Sequence, residues 1–185
     1  MKDGFIKVAA GTPDIKVADC EYNRAEITAL IDKAYAAGVR ILALPELCIT
    51  GYTCQDLFFQ QALLDGALNA LREITEHTAG SDMLISVGCP LRFRGELYNC
   101  AVVLKDGKIL GVVPKKFLPN YNEFYEKRHF TAAPEGQFDI ELFGESVPFG
   151  LGLLFECRTM PELVFAAELC EDLWAAEPPS ISLAL

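Results

Sequence analysis

An almost unbroken apolar run, Val39-Arg40-Ile41-Leu42-Ala43-Leu44, ends at Pro45 and sets the strongest limit on the architecture of this chain. A run of strand length that proline ends is typical of a strand buried on both faces of a sheet. A shorter apolar run lies at 6–10, and between the two runs the apolar residues of 27–35 recur at helical spacing and stop before Gly38. The order strand, helix, strand predicts a crossover unit in a sheet covered by helices.

The central part of the chain adds a second helix and then a different strand pattern. Apolar residues at helical spacing predict a helix over 59–77, and a strand is expected over 83–87. Arg94-Gly95 and Asp106-Gly107 then lie between short apolar runs, which is typical of β-hairpins. We therefore expect the middle of the sheet to be antiparallel. Further strand-like segments occur at 138–142, 150–155 and 163–167.

Length and charge restrict the class of protein. The 185 residues, 51% of them apolar, predict one domain over 1–185 with a sizeable core. The net charge of −10 would repel phosphate backbones and anionic lipids, so neither nucleic acid nor a membrane is an expected partner. We find no apolar run of about 18 residues and no secretory leader, and the expected compartment is the cytoplasm.

The cysteines predict reduced thiols. There are seven, an odd number, and they lack Cys-x-x-Cys spacing. The two histidines, His77 and His129, have no convincing ligand pair, so we predict that the chain holds no metal.

Three candidate reactive residues, Glu46, Lys115 and Cys170, each directly follow a predicted strand. Ends of strands support reactive groups on a rigid frame. A cysteine nucleophile needs a base, which Glu46 can supply, and Lys115 can stabilise an oxyanion. Taken singly, each residue has an ordinary alternative: a turn acid, a solvated surface charge or a small core residue.

Three segments that contain these residues resemble the three signatures of the nitrilase (carbon–nitrogen hydrolase) superfamily. They are Leu44-Pro45-Glu46-Leu47-Cys48-Ile49-Thr50-Gly51-Tyr52, Val113-Pro114-Lys115-Lys116-Phe117-Leu118-Pro119-Asn120-Tyr121 and Glu168-Leu169-Cys170-Glu171-Asp172-Leu173-Trp174. Within the superfamily, the chain is most similar to the amino-terminal glutaminase domains of glutamine-dependent NAD+ synthetases. The additional motifs that carry this likeness are Gly51-Tyr52-Thr53-Cys54-Gln55-Asp56-Leu57-Phe58 and Asn120-Tyr121-Asn122-Glu123-Phe124-Tyr125-Glu126-Lys127-Arg128.

The resemblance implies an α/β fold, a four-layer αββα sandwich, and a catalytic triad of Glu46, Lys115 and Cys170. Lys115 is preferred to Lys116 because the family lysine lies three residues before a leucine, here Leu118. The resemblance further implies that a second glutamate orients the lysine, and that four residues line a glutamine pocket. These five positions are Glu126 for the orienting glutamate and Tyr52, Tyr121, Glu171 and Trp174 for the pocket.

It also implies glutamine as substrate. The thiol chemistry needs no cofactor in the hydrolase domain, and we expect a homo-oligomer. In similar proteins the ammonia passes to a synthetase domain that uses ATP and Mg²⁺ to convert nicotinic acid adenine dinucleotide to NAD+. No Gly-rich phosphate loop occurs in these residues, so we expect that domain to be absent here. We also expect the hydrolase domain to be incomplete at its C-terminus, which can impair its activity.

Three alternatives remain open at this stage. The chain can be a stand-alone amidase, nitrilase or carbamoylase with the same triad. A cysteine–histidine pair can use His129 as the base instead of Glu46. The chain can also be an inactive hydrolase-like module that serves only in assembly, because unpaired sheet edges favour self-association.

Overall fold

The computed structural model describes residues 4–185. The elements, in chain order, are β1 Lys7–Ala10, α1 Cys20–Ala36, β2 Val39–Ala43, a 3-10 helix Gln55–Phe59, α2 Gln61–His77, β3 Leu84–Phe93, β4 Glu96–Lys105, β5 Lys108–Pro114, α3 Glu126–His129, β6 Gln137–Leu142, β7 Glu145–Gly150, β8 Phe155–Cys157, β9 Met160–Phe165, α4 Glu171–Trp174 and α5 Pro179–Leu183. None of the helices within 4–185 combines the length and apolarity that crossing a membrane requires.

Seven strands form one mixed sheet in the order β1-β2-β3-β4-β5-β7-β6. β1, β2 and β3 are parallel to one another, and α1 and α2 form the crossovers between them. β3, β4 and β5 are antiparallel and are joined by the two predicted hairpins at Arg94-Gly95 and Asp106-Gly107. The predicted crossover unit and the antiparallel middle of the sheet are therefore confirmed.

The helices α1 and α2 cover one face of this sheet. Ile27 and Ile31 of α1 and Leu71 and Ile74 of α2 are buried in the same apolar cluster as the sheet residue Ile85. The Asp19 carboxylate caps the start of α1 by accepting a hydrogen bond from the Tyr22 backbone N–H at 3.0 Å. Helix α1 ends at the predicted glycine, since Gly38 follows its last turn with a φ of +80°.

A second sheet, formed by β8 and β9, lies over the opposite face. On that side Leu153 and Ala167 pack against a small apolar cluster of Ala101, Val113 and Leu169. Within 4–185, the layers are thus the two long helices, the seven-stranded sheet and this two-stranded sheet, and α4 and α5 are single turns. The α/β class that the resemblance implies is confirmed.

Two details of the strand predictions are wrong. The run 39–44 is not buried on both faces, because Ala43 is exposed and borders a cavity between the sheets. The segment 150–155 is not a strand but a turn between two strands, since β7 ends at Gly150 and β8 begins at Phe155. Leu153 of this turn is apolar because it packs against Ala101 and Val113 of the seven-stranded sheet, and hydrophobic pattern alone therefore suggested a strand.

Candidate active site

Glu46 lies on a sharp turn that crosses over β3 at Gly88. A Cβ atom on Gly88 would overlap the backbone nitrogen of Leu47 and the backbone oxygen of Pro45, so no side chain fits there. Leu47 is buried and has a φ of +51°, in the left-handed region that only a well-supported residue occupies. The turn therefore needs glycine beneath it, and it holds Glu46 with only 15% of its side chain exposed.

Lys115 follows β5, and its backbone N–H donates to the Asn99 carbonyl at 2.8 Å. Its ammonium group is completely buried. It donates to Glu46 Oε1 at 2.5 Å and to Glu126 Oε1 at 2.6 Å. The cation is therefore held between two carboxylates, in hydrogen-bonded ion pairs of the kind that a buried charge requires.

Two further side chains complete this cluster. The Tyr52 hydroxyl donates to Glu126 Oε1 at 2.7 Å. The amide nitrogen of Asn99 donates to Glu46 Oε1 at 2.6 Å and approaches Glu126 Oε2 at 3.5 Å. Asn99 was missed from sequence, although a buried amide in the otherwise apolar strand β4 is a signal, because asparagine is seldom buried without a specific partner.

Cys170 lies on a strained turn after β9. Its φ of +42° and ψ of −95° are rare for a residue with a side chain. All seven cysteines lie within the described residues and none forms a disulfide there; Cys170 is the one that is exposed. Cys170 and Glu46 line the same cavity, of about 420 Å³, between the two sheets. The three signature residues thus meet at one end of the sheet.

The charges around Cys170 keep its thiol protonated at rest. Burial, then the carboxylate of Glu46, raises the pKa of Cys170, and the ammonium of Lys115 opposes this rise. Burial also disfavours the charged form of Lys115, but Glu46 and Glu126 together outweigh it and raise the Lys115 pKa. For Glu126, burial and the neighbouring Glu46 raise the pKa, and Lys115 opposes them. The cysteine therefore needs a base, and a carboxylate is next to it.

Asp172 connects the cysteine turn to the lysine segment. Its fully buried carboxylate accepts backbone hydrogen bonds from Leu169 at 3.1 Å, Lys116 at 3.1 Å and Phe117 at 2.7 Å. Burial raises the pKa of Asp172, while these N–H donors oppose the rise. No role was predicted for Asp172 from sequence, although its place two residues after Cys170 is a signal for one.

The four residues predicted for a glutamine pocket differ in how closely they contact the cluster of Glu46, Lys115 and Glu126. Tyr52 contacts the cluster directly through Glu126. The hydroxyl of the exposed Tyr121 donates to Glu171 Oε2 at 2.8 Å, and Trp174 is 76% exposed. None of these four residues is among those that line the 420 Å³ cavity.

His129, the alternative base, lies elsewhere. Its imidazole pairs with Asp56 at 3.2 Å and packs beside the rings of Phe58 and Phe59. It is therefore not the partner of Cys170 in this arrangement. No group of three or more potential metal ligands occurs within 4–185.

Comparison with known proteins gives consistent relatives. The carbon-nitrogen hydrolase family profile matches residues 7–184. The glutamine-dependent NAD(+) synthetase of Mycobacterium tuberculosis is 37% identical over 182 residues, which are 98% of this chain and 27% of that protein. The corresponding protein of Arabidopsis thaliana is 36% identical over 191 residues, covering 98% of this chain and 26% of its own length. The chain thus spans about a quarter of the length of these relatives.

Solved structures show the same likeness. The glutamine-dependent NAD(+) synthetase from Cytophaga hutchinsonii matches with a TM-score of 0.82 and 34% identity, over 90% of this chain and 28% of that chain. An amidase from Nesterenkonia sp. matches with a TM-score of 0.61 and 18% identity, over 80% of this chain and 56% of that chain. At this lower identity the amidase shows a shared fold.

Proposed function

Because the chain belongs to the carbon–nitrogen hydrolase family, we propose that it hydrolyses the side-chain amide of glutamine, with Cys170 as nucleophile, Glu46 as acid–base and Lys115 as oxyanion stabiliser. One observation carries this proposal. A buried ammonium is bonded to the two carboxylates Glu46 and Glu126, and one of these carboxylates shares a cavity with an exposed cysteine on a strained turn.

The first half of the reaction forms a thioester. Glu46 takes the proton of the Cys170 thiol as the sulfur attacks the amide carbon, and the carbonyl π electrons move to oxygen. The Lys115 ammonium has an N–H beyond the two that bond Glu46 and Glu126, and it stabilises this oxyanion by about 3 kcal/mol. The tetrahedral intermediate collapses, the C–N bond breaks, and Glu46 returns the proton to the departing nitrogen, which leaves as ammonia.

The second half releases glutamate. Glu46 takes a proton from water as the water oxygen attacks the thioester carbon, and Lys115 again stabilises the oxyanion. The C–S bond then breaks and the thiolate recovers the proton from Glu46, which restores the starting state. Glu126 and Tyr52 keep the ammonium in place through their shared hydrogen bond. Every step uses side chains of this chain.

Glutamine is the proposed substrate because the relatives at 37% and 34% identity carry "glutamine-dependent" in their names. The Tyr121–Glu171 pair, next to Cys170 in the chain, offers a carboxylate and a hydroxyl to the amino-acid end of such a substrate. Since the chain spans only 27% of a relative's length, we propose that the ammonia serves a synthetase domain that aminates nicotinic acid adenine dinucleotide with ATP and Mg²⁺. The cytoplasm and a homo-oligomeric state remain predictions.

The test is covalent labelling with 6-diazo-5-oxo-norleucine, a glutamine analogue that alkylates a thiol with loss of dinitrogen. Peptide mapping then identifies which cysteine is modified, and Cys157 is an internal control. Cys157 is also accessible, and its pKa is lowered by its hydrogen bond with Thr159, so a generic electrophile labels it readily.

We expect labelling of Cys170 but not Cys157, protection by excess glutamine, and no such labelling in Cys170→Ala. Protection by simple amides or carbamoyl amines but not by glutamine would instead favour a stand-alone amidase or carbamoylase. A folded protein that labels both thiols equally, without protection, would favour the inactive assembly module.

A further inference from the structure

We infer that Asn99 is a positioning residue that selects which carboxylate oxygen of Glu46 acts as the base. This inference rests on the proposed role of Glu46 as the acid–base residue. Asn99 is completely buried in the central strand β4. Its backbone pairs with Pro90 of β3 on one side, and its carbonyl accepts the Lys115 N–H on the other. The backbone at Asn99 is therefore held on both sides, which fixes the Cα atom from which the side chain extends.

The two oxygens of Glu46 have different surroundings. Oε1 accepts hydrogen bonds from the Lys115 ammonium at 2.5 Å and from the Asn99 amide at 2.6 Å. Among residues 4–185, no donor contacts Oε2. A carboxylate oxygen that already accepts two charge-assisted or short hydrogen bonds is the poorer proton acceptor. Oε2 is thus left to take the proton of Cys170.

The amide of Asn99 keeps this orientation at a cost. Its Oδ1 atom is buried without a hydrogen-bond partner within the described residues, which is unfavourable by about 1–3 kcal/mol. Turning the amide over would give Oδ1 new neighbours, but these would be the carboxylates of Glu46 and Glu126, which repel it. The donor is therefore directed at the two carboxylates although the acceptor remains unsatisfied. Such an exception in a buried network indicates a functional constraint.

Two variants separate this role from a structural one. Asn99→Leu removes the donor without adding charge, so Oε1 of Glu46 keeps only its bond to Lys115 and the orientation of the carboxylate is less restricted. Asn99→Asp replaces the donor with a third carboxylate, which disfavours additional negative charge on the nearby thiol. Thr75→Val is the matched control, because it removes another buried hydrogen bond, from Thr75 Oγ1 to the Leu71 carbonyl at 2.8 Å, in α2.

The experiment compares two reagents on Cys170 of the full chain across pH, and circular dichroism verifies folding. Iodoacetamide reports only the thiolate fraction, whereas 6-diazo-5-oxo-norleucine also requires correct proton transfer. For Asn99→Leu we expect the limiting rate with the glutamine analogue to fall by about 10-fold or more, and the iodoacetamide rate to stay within about 2-fold. For Asn99→Asp we expect the iodoacetamide profile to move to higher pH. Thr75→Val should keep both rates.

Three outcomes contradict these expectations in distinguishable ways. Folded Asn99 variants with wild-type rates and pH profiles would overturn the inference alone. Equal losses with both reagents, matched by Thr75→Val, would assign Asn99 a purely structural role. A wild-type protein in which the glutamine analogue does not select Cys170 would refute the proposed function, and the inference with it.

Discussion

The Asp172 carboxylate accepts a hydrogen bond from the Phe117 backbone N–H at 2.7 Å, across 55 residues of sequence. It also accepts one from Leu169, directly before Cys170, and one from Lys116, directly after Lys115. A single buried side chain thus fixes the segment that holds the proposed nucleophile relative to the segment that holds the proposed oxyanion donor. The separation of these two groups is set by Asp172 rather than by sheet pairing.

Asp172→Ala should therefore destabilise the protein and slow the labelling of Cys170. The change leaves three buried backbone N–H groups without an acceptor, which costs about 3 kcal/mol and lowers the melting temperature by about 9 °C. Asp139→Ala is the control, since Asp139 is an exposed carboxylate on β6, and it should change stability by less than about 0.5 kcal/mol. Thermal unfolding of both variants measures this, and equal stability of the two would contradict the role of Asp172.

Gly88→Ala should disrupt the turn that holds Glu46. The added Cβ would overlap backbone atoms of Pro45 and Leu47, so the turn must move, at a cost of about 3 kcal/mol or more. Gly66→Ala is the matched control, because its Cβ would lie 3.6 Å from Cys20 atoms in ordinary contact, and alanine favours helix α2 by about 0.5–1 kcal/mol. Urea denaturation should therefore give shifts of opposite sign. A stable Gly88→Ala protein with normal labelling would refute this account.

The three candidate residues that were found from sequence have a local signature, because each lies shortly after a strand. Lys115 directly follows β5, Glu46 follows β2 after Leu44 and Pro45, and strand ends can be predicted from hydrophobic runs and proline. Cys170 follows β9 after a short linking segment, so its position after a strand was predictable in the same way. The structure brings these three positions together at one end of the sheets.

The positions that sequence analysis missed depend on contacts between distant segments. Asn99 lies in the middle of a strand, and its partner Glu46 is 53 residues away. Asp172 stabilises loops whose positions are set only once the fold is formed. The turn after Gly150 was predicted as a strand because a turn residue that packs on the large sheet, here Leu153, is as apolar as a strand residue. The spacing of apolar residues predicts which side chains are buried. It does not predict whether the chain continues straight or turns at a given residue, which depends on the tertiary structure.

Tyr121→Phe tests the proposed substrate contact. The change removes the hydroxyl that donates to Glu171 Oε2 at 2.8 Å, so Glu171 is less firmly held. We expect protection of Cys170 by glutamine to need a concentration about 3- to 10-fold higher, with little change in the limiting rate of labelling. Tyr125→Phe is the control, because Tyr125 is similarly exposed at 55%. Equal effects of the two changes would remove Tyr121 from the pocket.

Glu46→Gln should have opposite effects on two kinds of reactivity. The Glu46 carboxylate is, after burial, the main factor that raises the pKa of Cys170. Removing its charge lowers that pKa, so more thiolate is present at pH 8 and the iodoacetamide rate should rise about 5-fold. Labelling by 6-diazo-5-oxo-norleucine should nevertheless fall by about 100-fold, because the acid–base residue is lost. If both rates fall together in a folded protein, Glu46 has no separate role as a base.

Lys115→Met should shift the reactivity of Cys170 in the other direction. The Lys115 ammonium is the group that lowers the pKa of the thiol, so its removal raises that pKa further. The iodoacetamide rate at any pH below the new pKa should fall, and the whole profile should move to higher pH. Hydrolysis should fall by about 100-fold or more through loss of the oxyanion donor.

Lys116→Met is the matched control for this change, because Lys116 is the neighbouring lysine and its ammonium lies over the Phe117 ring, 4.9 Å from its centroid, instead of between carboxylates. It should keep the wild-type pH profile and rate. Lys115→Met also leaves Glu46 and Glu126 without their shared cation, so folding is verified by circular dichroism at each pH. A folded Lys115→Met protein with an unshifted profile, together with a shifted Lys116→Met profile, would transfer the oxyanion role to Lys116.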